Sequence, residues 1–266
     1  WARLILREDA AAGGVDHLGE PWAVPLREAR LATFLAADRS ADTDGSRSSS
    51  VGNSFLSGEI IDLQSRLNVS NLVDGSRVSP PALLAFTRLF ELLGLPASQV
   101  EPMARQLLRA TLASQGTLPA DGAPVPLLPQ DATQLGWLGL PPATVSALAP
   151  HVTVLPARTP VNLNTASATV IYAAIDGISL ADAQRLVAQR AASHLRSLAD
   201  ATPILGNNAR TGDGATSVST RYFEVRGRLR IDAQVVEERS LVQRDNKLVQ
   251  ALRRQRVPAV SAAAPS

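Results

Sequence analysis

The chain has 266 residues, of which 45% are hydrophobic and 19% are charged, and its formal net charge is +2. This balance is typical of a globular protein with one large core or two modest ones, and it excludes a chain that is disordered by composition. The absence of cysteine excludes disulfides, thiolate metal sites and cysteine nucleophiles. No apolar run approaches the roughly eighteen residues that a membrane-spanning helix needs.

The first elements read as a helix followed by turns. Trp1, Leu4 and Ile5 lie at helical spacing, and the pair Gly13-Gly14 follows where a helix is expected to end. We interpret this helix as the tail of a longer one that enters from upstream. Trp22, in a proline-rich turn, is expected to anchor a core, and the small polar residues 39–53 predict a loop.

Strand signals follow and return near the end of the chain. In "EIIDLQSRLNVSN" the side chains of Ile61, Leu63, Leu67 and Val69 fall on one parity, which predicts a half-buried strand. Much later, the segment from Phe223 to Ile231 alternates apolar and charged residues, and "QVVEERSLVQR" can pair back on it as a hairpin.

The residues between these strand signals are helical. Predicted helices close at Gly94 and Gly116, and shorter ones surround residues 136–148. We therefore predict the α+β class, with an all-helical domain inserted into an α/β domain of one helix and an antiparallel sheet. The expected boundaries are 1–74 and 206–248 for the two parts of the α/β domain, 75–205 for the insertion and 249–266 for a flexible tail.

A search for catalytic constellations nominates no residue, so an enzyme is not expected. The sequence has no G-x-S-x-G elbow and no H-E-x-x-H pair, and no P-loop precedes the single lysine, Lys247. His17, His151 and His194 lie far apart in the sequence, and none has a second histidine at metal-ligand spacing.

Two polar loops offer the oxygen ligands that calcium prefers. The loop 40–51 places Asp42 and Asp44 like an EF-hand but has Val51 where a bidentate Glu is required. The second loop offers Asn207, Asn208 and Asp213 as ligands of a structural calcium ion. Ordinary turns beside glycine are the alternative for both loops.

The stretch "PVNLNTASATVIYAAIDGIS" predicts the first half of a helical hairpin. Asn164 or Thr165 is expected to cap a helix from Ala166 to about Ile175, and Ser179 to cap a second helix through a capping box with Asp182.

The hairpin resembles helix-hairpin-helix units that bind DNA, which gives an alternative function. Its turn, however, lacks the second glycine of those units, and three acids cancel three arginines between Pro160 and Asp200. Positive charge is concentrated elsewhere, with ten Arg and Lys against five acids from Ser219 to Arg256. We therefore expect no nucleic-acid partner.

Four pieces in order carry a family resemblance: "WARLILREDA…DHLGEPWAVPL", "SGEIIDLQSRLNVSNLV", "PVNLNTAS" and "VSTRYFEVRGRLRIDAQVVEERSLVQR". Together they resemble general secretion pathway protein K, the large minor pseudopilins of type II secretion systems. The resemblance covers most of the chain and implies a pseudopilin-like fold interrupted by a large helical domain.

The resemblance also implies a function and partners. It implies a structural protein at the tip of the pseudopilus, which starts and caps the filament with minor pseudopilins I and J and lies near secreted substrates. It implies a periplasmic domain held at the inner membrane by an upstream hydrophobic helix, and it raises the expectation of calcium. Pilin-like packing further implies a partner interface at Trp1, Leu4, Ile5 and Glu8.

Overall fold

The computed structural model describes residues 1–31, 54–117, 122, 124–206, 208–211, 214–232 and 234–258. Its α-helices are α1 (Ala2–Ala12), α2 (Pro80–Leu92), α3 (Val100–Ser114), α4 (Pro142–Leu148), α5 (Ala168–Ala174), α6 (Leu180–Ala192) and α7 (Thr202–Leu205). Its strands are β1 (Leu26–Arg30), β2 (Ser54–Asp62), β3 (Leu67–Asn68), β4 (Val73–Asp74), β5 (Arg77–Val78), β6 (Val152–Thr153), β7 (Val161–Asn162), β8 (Thr216–Ser217), β9 (Tyr222–Ile231), β10 (Gln234–Asp245) and β11 (Leu248–Pro258). Among these helices, none has the length and apolar character needed to cross a membrane.

The chain divides into two compact units. One is built on an antiparallel sheet and the other contains most of the helices, which confirms the α+β class. The sheet unit comprises Trp1–Gly13, Leu18–Asp62 and Arg221–Ser266, and the inserted unit comprises Gly14–His17 and Leu63–Thr220.

The unit boundaries fall at 62/63 and 220/221 instead of the predicted 74/75 and 205/206. The reason is pairing within the inserted unit, where β3 pairs with β6 and β8 pairs with β7 in short parallel ladders. A third ladder joins β4 and β5. The inserted unit is therefore not all-helical as predicted, because two-residue ladders leave no periodic signal in a sequence.

The sheet unit contains one antiparallel sheet in the order β1-β2-β9-β10-β11. Its strands β2 and β9 are neighbours, and Asp62 lies directly opposite Phe223 in their ladder. The chain leaves the sheet after Asp62 and returns just before β9. Because the two ends of the insertion lie side by side, a large unit can be accommodated without a break in the sheet.

The predicted strand at 59–71 is only partly correct. Strand β2 ends at Asp62, and a 3-10 helix over Leu63–Ser65 follows. The alternating residues beyond that point are buried in the inserted unit, where Leu67 and Val69 belong to its core. The predicted alternation from Phe223 to Ile231 is confirmed as β9, in which Phe223 is fully buried.

The prediction of a flexible tail is wrong for residues 249–258, which belong to strand β11. Strand β11 pairs with β10 from Asp245↔Leu248 to Val236↔Pro258, with one irregularity after Leu241. The charged run within 249–256 resembles a solvated tail because an edge strand exposes many side chains. The polar segment 39–53 and the end of the chain at 259–266 contain no described residues.

The inserted unit has an extensive apolar core contributed by its helices. Phe86, Leu89 and Phe90 of α2 pack in this core with Met103 and Leu107 of α3. Both helices end where predicted, since Gly94 and Gly116 follow them with φ of 68° and 88°. Glycine is favoured there because a side chain is strained at positive φ.

Candidate partner-binding face

One face of helix α1 packs against the core of the sheet unit. Leu6 is fully buried, and the partly buried Ala2 and Ile5 pack beside it. The core contains six buried apolar side chains among the described residues: Leu6, Trp22, Ile60, Phe223, Val242 and Val249. Trp22 and Phe223 meet edge to face, with ring centroids 5.3 Å apart, so Trp22 is the core anchor that the sequence predicts.

A buried ion pair fixes the other end of α1 to the sheet. Asp9 bonds Arg244 of β10, and each side chain is only 10% exposed. The guanidinium of Arg244 also lies 4.9 Å from the centroid of the Phe223 ring. Because both side chains are largely buried, loss of either charge would be costly, and the pair helps to set the position of α1 on the sheet.

The opposite face of α1 is apolar and open. Trp1 is 41% exposed and Leu4 is 55% exposed, and exposed Glu8 follows one turn later on the same side. The Trp1 ring lies near β2, since a Cβ placed on Gly58 would be 3.7 Å from its Cζ3. Trp1, Leu4 and Glu8 therefore form a surface that we call the outer face of α1.

The four residues predicted for partner binding thus separate into two groups. Trp1, Leu4 and Glu8 lie on the outer face, whereas Ile5 packs against the core of the sheet unit. An exposed Trp beside an exposed Leu is a common anchor of protein interfaces. The sequence alone does not separate Ile5 from Leu4, because both fit the helical stripe.

The predicted calcium loop is described only in part. Asn208 is exposed, whereas Asn207 and Asp213 lie outside the described residues, as does the loop 40–51. The backbone carbonyl of Asn208 lies against Gly177, in the turn of the helical hairpin. Calcium binding by Asn207, Asn208 and Asp213 stays a prediction.

The helical hairpin is present as α5 and α6. Ser179 and Asp182 form the predicted capping box, and Ala183 and Leu186 are buried. The first helix begins later than predicted, since Ser167 is its cap.

Asn164, predicted as a cap of the first helix, has a different role. It is buried, its Nδ2 donates to the Leu195 carbonyl (2.9 Å), and its Oδ1 accepts from the Leu195 N–H (2.8 Å). The carboxamide thus joins two chain segments as a backbone strand would.

Two arginines of the helical hairpin, Arg185 and Arg190, form hydrogen bonds with other groups of the inserted unit. Arg190 donates to the carbonyl oxygens of Leu163 and Ala166, and burial lowers its pKa to about 10, so it stays charged at neutral pH. Arg185 bonds Asp182 and the Ile204 carbonyl. Both guanidinium groups bond within the protein, although the Arg185 side chain is 64% exposed, and the alternative DNA-binding function has no support in this hairpin.

The structure also brings together two histidines that are distant in the sequence. The rings of His17 and His194 stack with centroids 3.8 Å apart and an interplanar angle of 7°. Beside them, Asp16 accepts from the N–H of Thr220 (2.7 Å) and its carbonyl accepts from Asn162 (3.0 Å). These contacts hold the segment 14–17 within the inserted unit, and no spacing rule predicts them.

Comparison with known proteins decides the family. Models described as type II secretion system protein K match residues 65–157 and 161–220. The curated type II secretion system protein K of Pseudomonas aeruginosa is 31% identical over 273 residues, which cover 95% of this chain and 73% of that protein. This chain belongs to the type II secretion system protein K family. The resemblance inferred from the sequence is thereby confirmed.

A solved structure supports the fold of this protein K family member. The chain matches a chain in the crystal structure of the GspK-GspI-GspJ complex from the enterotoxigenic Escherichia coli type 2 secretion system. The TM-score is 0.71 at 20% identity, and the match covers 97% of this chain and 92% of the other. Both family-model matches lie within the inserted unit, so its sequence is the more specific mark of the family.

Proposed function

We propose that this protein is a structural minor pseudopilin at the tip of the type II secretion pseudopilus, where it initiates and caps the filament with minor pseudopilins I and J. The observation that carries the proposal is the outer face of α1, an apolar stripe on a sheet unit with a small core of its own. Membership of the protein K family and the solved complex of a similar chain with GspI and GspJ support the choice of partners.

The inserted unit gives the tip position a physical reason. A filament grows by repeated heterologous contacts, and each subunit must leave a surface free for the next one. The unit formed by Leu63–Thr220 adds a large body to one subunit. We infer that this body prevents further addition, so that the subunit ends the filament.

The remaining parts of the proposal concern location and cofactor. We place the protein in the periplasm, attached to the inner membrane through a helix that continues α1 upstream. We assign calcium, as a structural ion, to the loop with Asn207, Asn208 and Asp213. Unchanged melting temperature after addition of excess chelator would contradict the calcium assignment, since a bound ion stabilises the folded state by mass action.

Light scattering tests the assembly. The purified chain is mixed with the soluble domains of pseudopilins I and J from the same secretion system at tens of micromolar. We expect a single species with the mass of one copy of each protein. A chain that stays monomeric with both partners present would contradict the proposed function.

A further inference from the structure

The inserted unit contains a cleft that neither the family assignment nor the outer face of α1 explains. Its volume is about 410 Å³, within the range of about 300–1,000 Å³ that is typical of ligand pockets. The first turns of α2 form one wall, and β7 and the end of α5 form the other.

The floor of the cleft is apolar. Leu67, Ala85, Phe86, Val161 and Ala173 contribute to it. Leu84 also lines the cleft and is 46% exposed, although it lies on a helix whose next residues are buried in the core. An apolar side chain from another molecule would remove Leu84 from water.

The rim of the cleft carries more positive than negative charge. Asp176 pairs with Arg88 (3.0 Å) and Arg210 (3.9 Å).

Arg158 of the rim pairs with Asp74 (2.7 Å), a carboxylate outside the cleft that also pairs with Arg77 (3.7 Å). Among the described residues that line the cleft, Arg88, Arg158 and Arg210 stand against one carboxylate, so the lining carries two more positive than negative charges. Arg158 and Arg210 line the cleft with 51% and 78% of their side chains exposed.

Arg88 adds a rigid feature to this rim. Its side chain is 13% exposed, its guanidinium lies 4.4 Å from the Tyr172 ring centroid, and it donates to the Ile178 carbonyl. Its Nε is buried and has no hydrogen-bond partner among the described residues. The position of Asp176, and therefore that of Arg210, is held by this preorganised group.

We propose that the cleft binds an acidic, extended peptide segment of a secreted client protein, with one large apolar side chain on the floor and neighbouring carboxylates on Arg158 and Arg210. The charge excess of the rim selects the carboxylates, and the apolar floor selects the anchor. The assignment to a client rests on the proposed function, which places pseudopilins I and J on the outer face of α1 in the other unit.

A labelled peptide tests the chemistry. The probe is fluorescein-Gly-Asp-Leu-Phe-Glu-Gly, titrated with the full chain in low salt and followed by fluorescence polarisation. We expect saturable binding that weakens about tenfold or more when Asn and Gln replace the acids, and similarly when Ser replaces Leu and Phe. Absence of saturable binding, or equal binding of the three peptides, would overturn the proposal.

Matched variants locate the site. Leu84→Glu and Arg210→Glu are expected to weaken probe binding about tenfold or more, because each adds negative charge inside the cleft. Leu127→Glu and Arg105→Glu make the same changes at exposed positions of the inserted unit that do not line the cleft, and we expect them to change binding less than about twofold. Equal losses in both sets would show attraction by net charge alone and would overturn the site.

Competition and assembly identify the occupant. A purified protein exported by the same system is expected to displace the probe, whereas pseudopilins I and J are not, and Leu84→Glu should still assemble with them. Displacement by I or J, or loss of assembly, would make the cleft a pseudopilin site and overturn the client assignment. If the chain binds the probe but never assembles with pseudopilins I and J, the proposed function would be contradicted, whereas peptide binding by the cleft would still be supported.

Discussion

The sheet unit and the inserted unit differ in the size of their apolar cores. In the sheet unit a small core is supplemented by ion pairs across elements, such as Arg226 with Glu59 (2.9 Å) and Arg230 with Glu28 (2.7 Å). In the inserted unit, which has ion pairs of its own, the larger core contains buried hydroxyls and side-chain amides, and the amides bond to backbone, as Asn68 does with the Ala157 carbonyl (2.8 Å).

This difference is consistent with the proposed partner-binding face on the sheet unit. Amide-to-backbone bonds and a large core satisfy the inserted unit internally. The sheet unit exposes Trp1 and Leu4 at the surface of α1. Burial of these side chains against another subunit is therefore a source of free energy that remains available for assembly.

The ion pair of the sheet unit gives the largest expected effect. Asp9→Ala removes a carboxylate that bonds the buried Arg244, and removal of one member of a buried pair costs about 3–5 kcal/mol. Urea unfolding measures the loss, and Glu8→Ala is the control because Glu8 is exposed on the same helix. An equal loss in both variants would show that the pair does not position α1.

The next largest loss of stability is expected in the inserted unit, at the turn of the helical hairpin. Gly177 has φ of 81°, and a Cβ there would overlap the carbonyl oxygen of Asn208. Gly94→Ala has the positive φ but open space around it, so it measures backbone strain alone, about 1 kcal/mol. In the same urea experiment, Gly177→Ala should lower the free energy of unfolding by about 2–3 kcal/mol, because the overlap with Asn208 adds to the backbone strain. Equal losses would refute the close approach.

The smallest expected effect is a change in two carboxyl pKa values with salt. It compares a carboxylate bonded by arginine with one bonded mainly by serine. The bond from Arg230 lowers the pKa of Glu28, whereas bonds from Ser179 lower the pKa of Asp182. High salt screens the exposed ion pair, so NMR titration in about 1 M NaCl should raise the pKa of Glu28 more than that of Asp182.

The same two pKa values fix the sign of a pH effect. Both carboxyls titrate below their ordinary values in the folded state, so their stabilisation is present above the ordinary pKa and is lost as the pH falls through the folded pKa. Acid titration should therefore destabilise both units. A larger pKa change for Asp182 than for Glu28 in salt would contradict the contrast between the units.

Local signals in the sequence were sufficient for the periodic elements. The end of α1 at Gly13, the ends of α2 and α3, the capping box at Ser179 and the alternation in β9 all follow from patterns within a few residues. These signals also support the order of sheet, insertion and sheet.

Long-range pairing could not be predicted in this way. The unit boundaries depend on two-residue ladders between segments tens of residues apart, and β11 was missed because its edge position favours charged side chains. The predicted interface residues Trp1, Leu4, Ile5 and Glu8 stay a prediction, and the structure shows only that Ile5 packs on the core while the other three are exposed.

The most direct test of the account is assembly after a single change on the outer face of α1. Leu4→Glu is mixed with pseudopilins I and J, and its sedimentation is compared with that of Leu127→Glu, a change at a leucine of the inserted unit that is 69% exposed against 55% for Leu4. We expect Leu4→Glu to keep its urea midpoint and lose the three-protein species, while Leu127→Glu assembles like the parent chain. Full assembly of Leu4→Glu would contradict the claim that this face binds the partners.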